Sequence, residues 1–111
     1  MNSSALLLTP EYFKIILDKV HETFMFKHNL KKLPKALQLY GYGAFNDQKP
    51  SLKKDFEAIG SEFINGKYLY DKSRELEKGK SVIKLNQHYK DIILLYLGYK
   101  DSNFFLEENK I

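Results

Sequence analysis

Three histidines, His21, His28 and His88, are the first residues of this chain that could do chemistry, as metal ligands or general bases. None has a partner at ligand spacing. There is no HExxH, and with no cysteine a zinc site would have to collect carboxylates from distant positions. His88, beside Tyr89, reads as a boundary histidine hydrogen-bonded to a neighbour. The lack of cysteine also removes any thiol nucleophile or disulfide framework. Ser61, Ser73, Ser81 and Ser102 fall in cap or turn contexts, and no Ser–His–Asp ordering stands out. Gly41-Tyr42-Gly43 lacks the third glycine, the preceding strand and the following acid of a dinucleotide loop, so it reads as a helix stop with a flexible exit. Glu107-Glu108 could be paired carboxylates, but on a terminal helix no pocket-forming residues flank them. The sequence therefore predicts no catalytic residue, no cofactor and no metal, and a protein that is not an enzyme.

Binding chemistry is better represented. Seventeen of the eighteen basic residues are Lys, the exception being Arg74. Arg is the residue that reads guanine and grips phosphate with a planar fork, so a Lys-rich chain points less to nucleic acid than its net charge of +4 implies. The distribution says more. Residues 27–54 hold seven Lys against Asp47 alone; residues 67–90 hold seven basic residues against Asp71, Glu75 and Glu77. The other segments are net acidic. Lys31, Lys32 and Lys35 at a helix start, with Lys72, Arg74, Lys78, Lys80 and Lys84, are the candidate phosphate or nucleic-acid contacts. Set against this, surface lysines also keep a small aromatic-rich domain in solution. Tyr40, Tyr42, Tyr68 and Tyr70 exceed what so small a core can bury, and surplus Tyr beside Lys is typical of a protein-binding surface. They could equally form the rim of the core.

The elements that must position these residues follow from apolar periodicity. At 111 residues the chain is read as one domain, a short lead over residues 1–8 and a helical domain over 9–111, able to bury a core without disulfides or metal. Eight Phe and eight Tyr supply much of that core. The start carries no basic n-region and no apolar run approaches a membrane span, so a cytoplasmic protein with no membrane partner is expected. Thr9-Pro10-Glu11 places an N-cap, a first-turn proline and an acid in order, with Leu8 and Phe13 at the positions of a hydrophobic staple. Phe13, Ile16, Val20 and Phe24 then predict a helix over 10–26. Pro34 opens a short helix through Tyr40, closed by Gly41 and Gly43. Pro50-Ser51 restarts a helix with a stripe of Leu52, Phe56, Ile59 and Phe63, which Asn65-Gly66 is expected to stop. Residues 68–80 read as helix, with a short strand at KYLY as the alternative.

The most apolar stretch is Lys84 to Phe105. Leu85, Tyr89, Ile92 and Tyr96 lie on one helical face, and Ile93, Leu94, Leu95 and Leu97 fill most of the rest. This predicts a helix over 84–97 at the centre of an all-α bundle of about five helices. At about fifteen residues it is too short to cross a bilayer. Gly98 should end it with a positive φ, and Asp101 or Ser102 should cap a terminal turn that docks Phe104 and Phe105.

The run YLGYKDSNFFLEEN is similar to the end of small helical modules of bacterial multidomain regulatory and signalling proteins. In these an aromatic-Leu-Gly-aromatic stop precedes a short helix with an inward Phe; here the matching residues are Tyr96, Leu97, Gly98, Tyr99 and Phe104 or Phe105. Ala36 to Tyr42 resembles an earlier helix in them. The resemblance covers about a quarter of the chain and implies a helix-turn-helix-like adaptor or regulatory module. The expected function is thus protein–protein recognition with an unidentified protein partner, and the alternative a nucleic-acid-binding regulator.

Overall fold

The computed structural model describes residues 6–60 and 62–99. In chain order these are β1 (Leu6–Leu8), α1 (Pro10–Lys27), α2 (Ala36–Tyr40), α3 (Leu52–Gly60), α4 (Gly66–Glu77), β2 (Ile83–Leu85) and α5 (Gln87–Tyr96). The protein is mostly helical, with five helices and one small sheet among the described residues.

α1 begins as its sequence dictates. Thr9 is extended, its hydroxyl accepts the Tyr12 N–H at 3.2 Å, and Pro10 occupies the first helical position. Leu8 and Phe13 are both buried, as the staple requires. Phe13, Ile16, Val20 and Phe24 form the buried stripe. In α2 the inward residues are Leu39 and Tyr40, while Leu37 is partly exposed. Just ahead of α3, Ser51 is buried and its hydroxyl accepts the Lys54 N–H at 3.2 Å.

Three expectations are corrected. The chain is not purely helical: Leu6–Leu8, in the stretch read as a lead, pairs antiparallel with Ile83–Leu85, matching Leu6 to Leu85, Leu7 to Lys84 and Leu8 to Ile83. Lys84 and Leu85 therefore belong to a strand, and the last helix begins at Gln87 behind the Asn86 N-cap. The α3 stripe stops halfway. Leu52 and Phe56 are buried, but the helix ends at Gly60, leaving Ile59 partly exposed and Phe63 73% exposed while Ile64 turns inward. Asn65-Gly66 is a start, not a stop: the Asn65 side chain accepts the Lys67 N–H at 2.9 Å and so caps α4. Residues 68–80 are helical to Glu77, with no strand at KYLY.

α5 buries Tyr89, Ile92, Ile93, Leu94 and Tyr96, and packs chiefly on α3. It ends as expected at Gly98, whose φ is +91°. The Gly98 N–H donates to the Leu95 carbonyl at 3.0 Å and the Tyr99 N–H to Leu94 at 2.8 Å, the paired bonds of a Schellman stop. The expected terminal turn, with Phe104 and Phe105, lies outside the described residues.

α4 and α5 lock each other's first turns. The Tyr68 ring lies on Tyr89, centroids 4.1 Å apart and planes 19° from parallel. The Tyr68 hydroxyl accepts the Asn86 N–H, and the Tyr89 hydroxyl accepts the Asn65 N–H, both at 2.9 Å. Each helix thus uses a tyrosine to satisfy the backbone amide of the other's cap residue.

Candidate functional site

The four candidate tyrosines separate into two kinds. Tyr40 is buried, with its hydroxyl 2.9 Å from His21 Nε2, and burial pushes its phenol up to about 12. Tyr68 is committed to the α4–α5 lock, with Lys72 Nζ 5.3 Å from its ring centre. Tyr68 remains half-buried. Tyr42 and Tyr70 are half-buried and lie against each other, ring centres 5.1 Å apart.

What brings them together is a backbone contact that tolerates no side chain. A Cβ at Gly66 would fall 2.2 Å from the Gly41 carbonyl oxygen and 2.6 Å from that of Tyr40. Only glycine lets the first turn of α4 rest on the end of α2. One turn beyond Gly66 stands Tyr70, and one residue beyond Gly41 stands Tyr42. Arg74, a further turn along α4, donates from Nη1 to the Tyr70 hydroxyl at 3.1 Å, with its guanidinium carbon 5.8 Å from the Tyr70 ring centre. Lys67 and Asp71 pair at 2.6 Å on the same helix, and that carboxylate raises the Lys67 ammonium above its ordinary value. Beside Tyr70 a shallow depression of about 490 Å³ is lined by Asp71, Arg74, Glu75 and Lys78. The result is a fixed aromatic pair with the chain's one guanidinium against it.

The basic candidates are spread over three places. Lys31, Lys32 and Lys35 are exposed in the connection between α1 and α2, and among the described residues none forms an ion pair. Lys35 occupies the N-cap position of a five-residue helix without a side-chain cap bond. Lys72, Arg74, Lys78 and Lys80 lie on α4 and its exit. There Glu75 draws Lys72 to 3.4 Å and Lys80 to 3.5 Å, and Glu77 draws Arg74 to 3.7 Å. Lys84 is exposed on β2, opposite Leu7.

The histidines, by contrast, have partners that the sequence did not disclose. His21 meets Tyr40 as described, and burial lowers its pKa, with Asp18 opposing. His88 pairs with Glu62 at 2.8 Å on the surface. His28 is the most constrained. Its Nε2–H donates to both oxygens of Asp55, at 3.0 and 2.9 Å, and the Tyr96 hydroxyl donates to the same carboxylate at 2.6 Å. Asp55 is buried, the Phe24 ring centre lies 4.7 Å from that of His28, and Phe56 stands edge-on to Tyr96. Burial, then the bond to Asp55, pushes the Tyr96 phenol far above its ordinary value. A carboxylate-held imidazole is the orienting half of an acyl-transfer triad, but among the described residues no hydroxyl is hydrogen-bonded to His28 to serve as nucleophile. The group ties the end of α1 to α3 and α5. These partners are 27 and 41 positions apart, so no local spacing could have revealed them.

Among the described residues no three His, Asp or Glu side chains gather as metal ligands, and no helix is long and apolar enough to cross a membrane. Glu107-Glu108 lies outside the described residues. No protein-family model, curated protein or solved structure matches the chain.

Proposed function

We propose that this protein is a non-enzymatic helical adaptor or regulatory module that works through protein–protein recognition. The anchoring surface in this reading is Tyr42, Tyr70 and Arg74. Tyr and Arg are the residues that most often dominate protein interfaces, because they offer a large rigid contact area with a polar end. The observation that carries the reading is the Tyr42–Tyr70 pair, half-buried yet held by the Gly41–Gly66 contact, with Arg74 braced on it. Such a surface loses little side-chain freedom on binding, which favours affinity.

The test is a comparison of co-purifying proteins from the native cell for wild type, Tyr70→Ala, Arg74→Ala and a Lys31/Lys32/Lys35→Ala triple variant, with circular dichroism as the fold control. A partner retained by the triple variant but lost from both α4 variants supports the reading. Partners unchanged by either α4 substitution exclude this surface.

A second reading, a helix-turn-helix-like nucleic-acid-binding regulator, is favoured by one observation: Lys31, Lys32 and Lys35 are exposed together without ion pairs among the described residues. Duplex binding that weakens steeply with salt, and whose salt slope flattens in the triple variant, would support it. Salt-independent or absent binding would remove it.

A further inference from the structure

Asn65 is followed by Gly66, and among the seven asparagines of the chain it alone precedes a glycine. That order has a covalent chemistry of its own. The backbone nitrogen after an asparagine can attack the side-chain carboxamide carbon, and the attack is least hindered when the following residue has no Cβ. Asn65 is exposed, so solvent base reaches it. The Gly66 N–H, at the first position of α4, has no acceptor among the described residues. The Lys67 N–H donates to Asn65 Oδ1 at 2.9 Å, the oxygen on which negative charge builds during the attack. The positive end of the α4 dipole lies at the same place.

We propose that Asn65 is a self-modification site, converting to an isoaspartyl linkage that unseats the first turn of α4. Solvent hydroxide takes the Gly66 amide proton, and the nitrogen bonds to Asn65 Cγ. The Cγ–Nδ2 bond then breaks, and ammonia leaves with a proton from water. A second water opens the resulting cyclic imide at either carbonyl, and the Gly66 nitrogen recovers its proton. The net change is one water consumed and one ammonia released, with no oxidant or cofactor.

The two products differ in what they do to the fold. Cleavage at Cγ gives an ordinary aspartate, whose carboxylate still accepts the Lys67 N–H and suits a helix start. Cleavage at the backbone carbonyl routes the chain through Cβ and Cγ, which adds a backbone atom. The carbonyl that accepts the Tyr68 N–H at 3.1 Å then becomes part of a carboxylate side branch. There is no slack for the added atom. On one side Ile64 is fully buried, and the Asn65 N–H is held by the Tyr89 hydroxyl at 2.9 Å. On the other, Gly66 lies so close to Gly41 that a Cβ would fall 2.2 Å from its carbonyl oxygen. The first turn of α4 must therefore move off α2, and Tyr70 away from Tyr42. That this also ends partner binding rests on the function proposed above.

The experiment incubates the full chain at mildly alkaline pH and maps it by peptide mass spectrometry, with ion exchange separating the products by their added negative charge. Asn65 should convert ahead of the other six asparagines, and the isoaspartyl form, identified by methylation with an isoaspartyl methyltransferase, should accumulate. That form should melt at least about 4 °C below the starting chain and exchange its Lys67 amide faster. Asn65→Asp should melt at or above wild type. Asn65→Ser keeps a cap but has no carboxamide, and should stay unmodified at this position. Another asparagine converting first, or an isoaspartyl form that melts with the starting chain, overturns the proposal. Partner binding lost in the isoaspartyl form but kept in Asn65→Asp would tie the modification to the tyrosine surface. Conversion and melting involve no partner, so their outcome is separate from that of the surface itself.

Discussion

Two tyrosine-centred groups in this protein use similar chemistry on opposite sides of the boundary with water. At one, Tyr96 and His28 converge on the buried carboxylate of Asp55, whose two oxygens take all three bonds inside the fold. At the other, Tyr42, Tyr70 and Arg74 form a half-exposed cluster whose outer faces stay open. Burial decides the difference. A buried charge must be fully paired because its desolvation is costly, whereas an exposed aromatic–Arg cluster contributes little to folding and keeps contact area open to solvent. Residue type alone does not distinguish a buried tyrosine from a half-exposed one; the partners and burial of its ring do.

The comparison breaks most readily at the buried group. Asp55→Ala strands the Tyr96 hydroxyl and His28 without their acceptor and should cost about 3–5 kcal/mol, lowering the melting temperature by about 10 °C or more. Thermal unfolding followed by circular dichroism checks this; a variant melting within a degree or two of wild type would show that the group is not a structural tie.

Gly66→Ala comes next. Its methyl would meet the Gly41 carbonyl oxygen at 2.2 Å, so α2 and α4 must part, at a cost of about 1–3 kcal/mol. Because the same contact aligns Tyr42 with Tyr70, loss of stability and loss of partner binding should occur together. Stability lost with binding intact would separate the tyrosine pair from the glycine contact.

Gly98→Val probes backbone strain alone. Among the described residues no atom beyond the chain neighbours lies within 4 Å of the added Cβ, yet φ is +91°, so a cost of about 1–2 kcal/mol is expected from conformation. Urea denaturation would register it as a lower midpoint at unchanged slope.

Smallest is the effect of Arg74→Ala on folding. Its ion pair with Glu77 is long and largely exposed, so stability should change by less than about 0.5 kcal/mol while partner binding falls. An Arg74 variant as destabilised as Asp55→Ala would erase the distinction drawn between the two groups.

What the sequence made legible was local. Thr9-Pro10 announced α1 because capping is decided within three residues, and Gly98 announced the end of α5 for the same reason. The sheet was hidden: Ile83-Lys84-Leu85 is three residues long, and its partner Leu6–Leu8 lies more than seventy positions away. Asn65-Gly66 reads as a stop in the sequence because the same dipeptide can close one helix or open the next, and only the capped Lys67 amide shows that it opens α4. Of the candidate surface, the residue types were visible, and the pairing of Tyr42 with Tyr70 was not, since it depends on two glycines meeting across the fold.

The exchanged tyrosine caps of α4 and α5 carry a kinetic consequence. The amides of Asn65 and Asn86 sit at helix starts, where fraying would ordinarily let solvent hydrogen replace them quickly. Here each is held by a ring anchored in the other helix, so freeing either amide means unstacking Tyr68 from Tyr89 and releasing both. Both amides should then exchange hydrogen for deuterium at matched rates, as one opening event. Matched exchange would mark α4, β2 and α5 as a single cooperative segment within the chain.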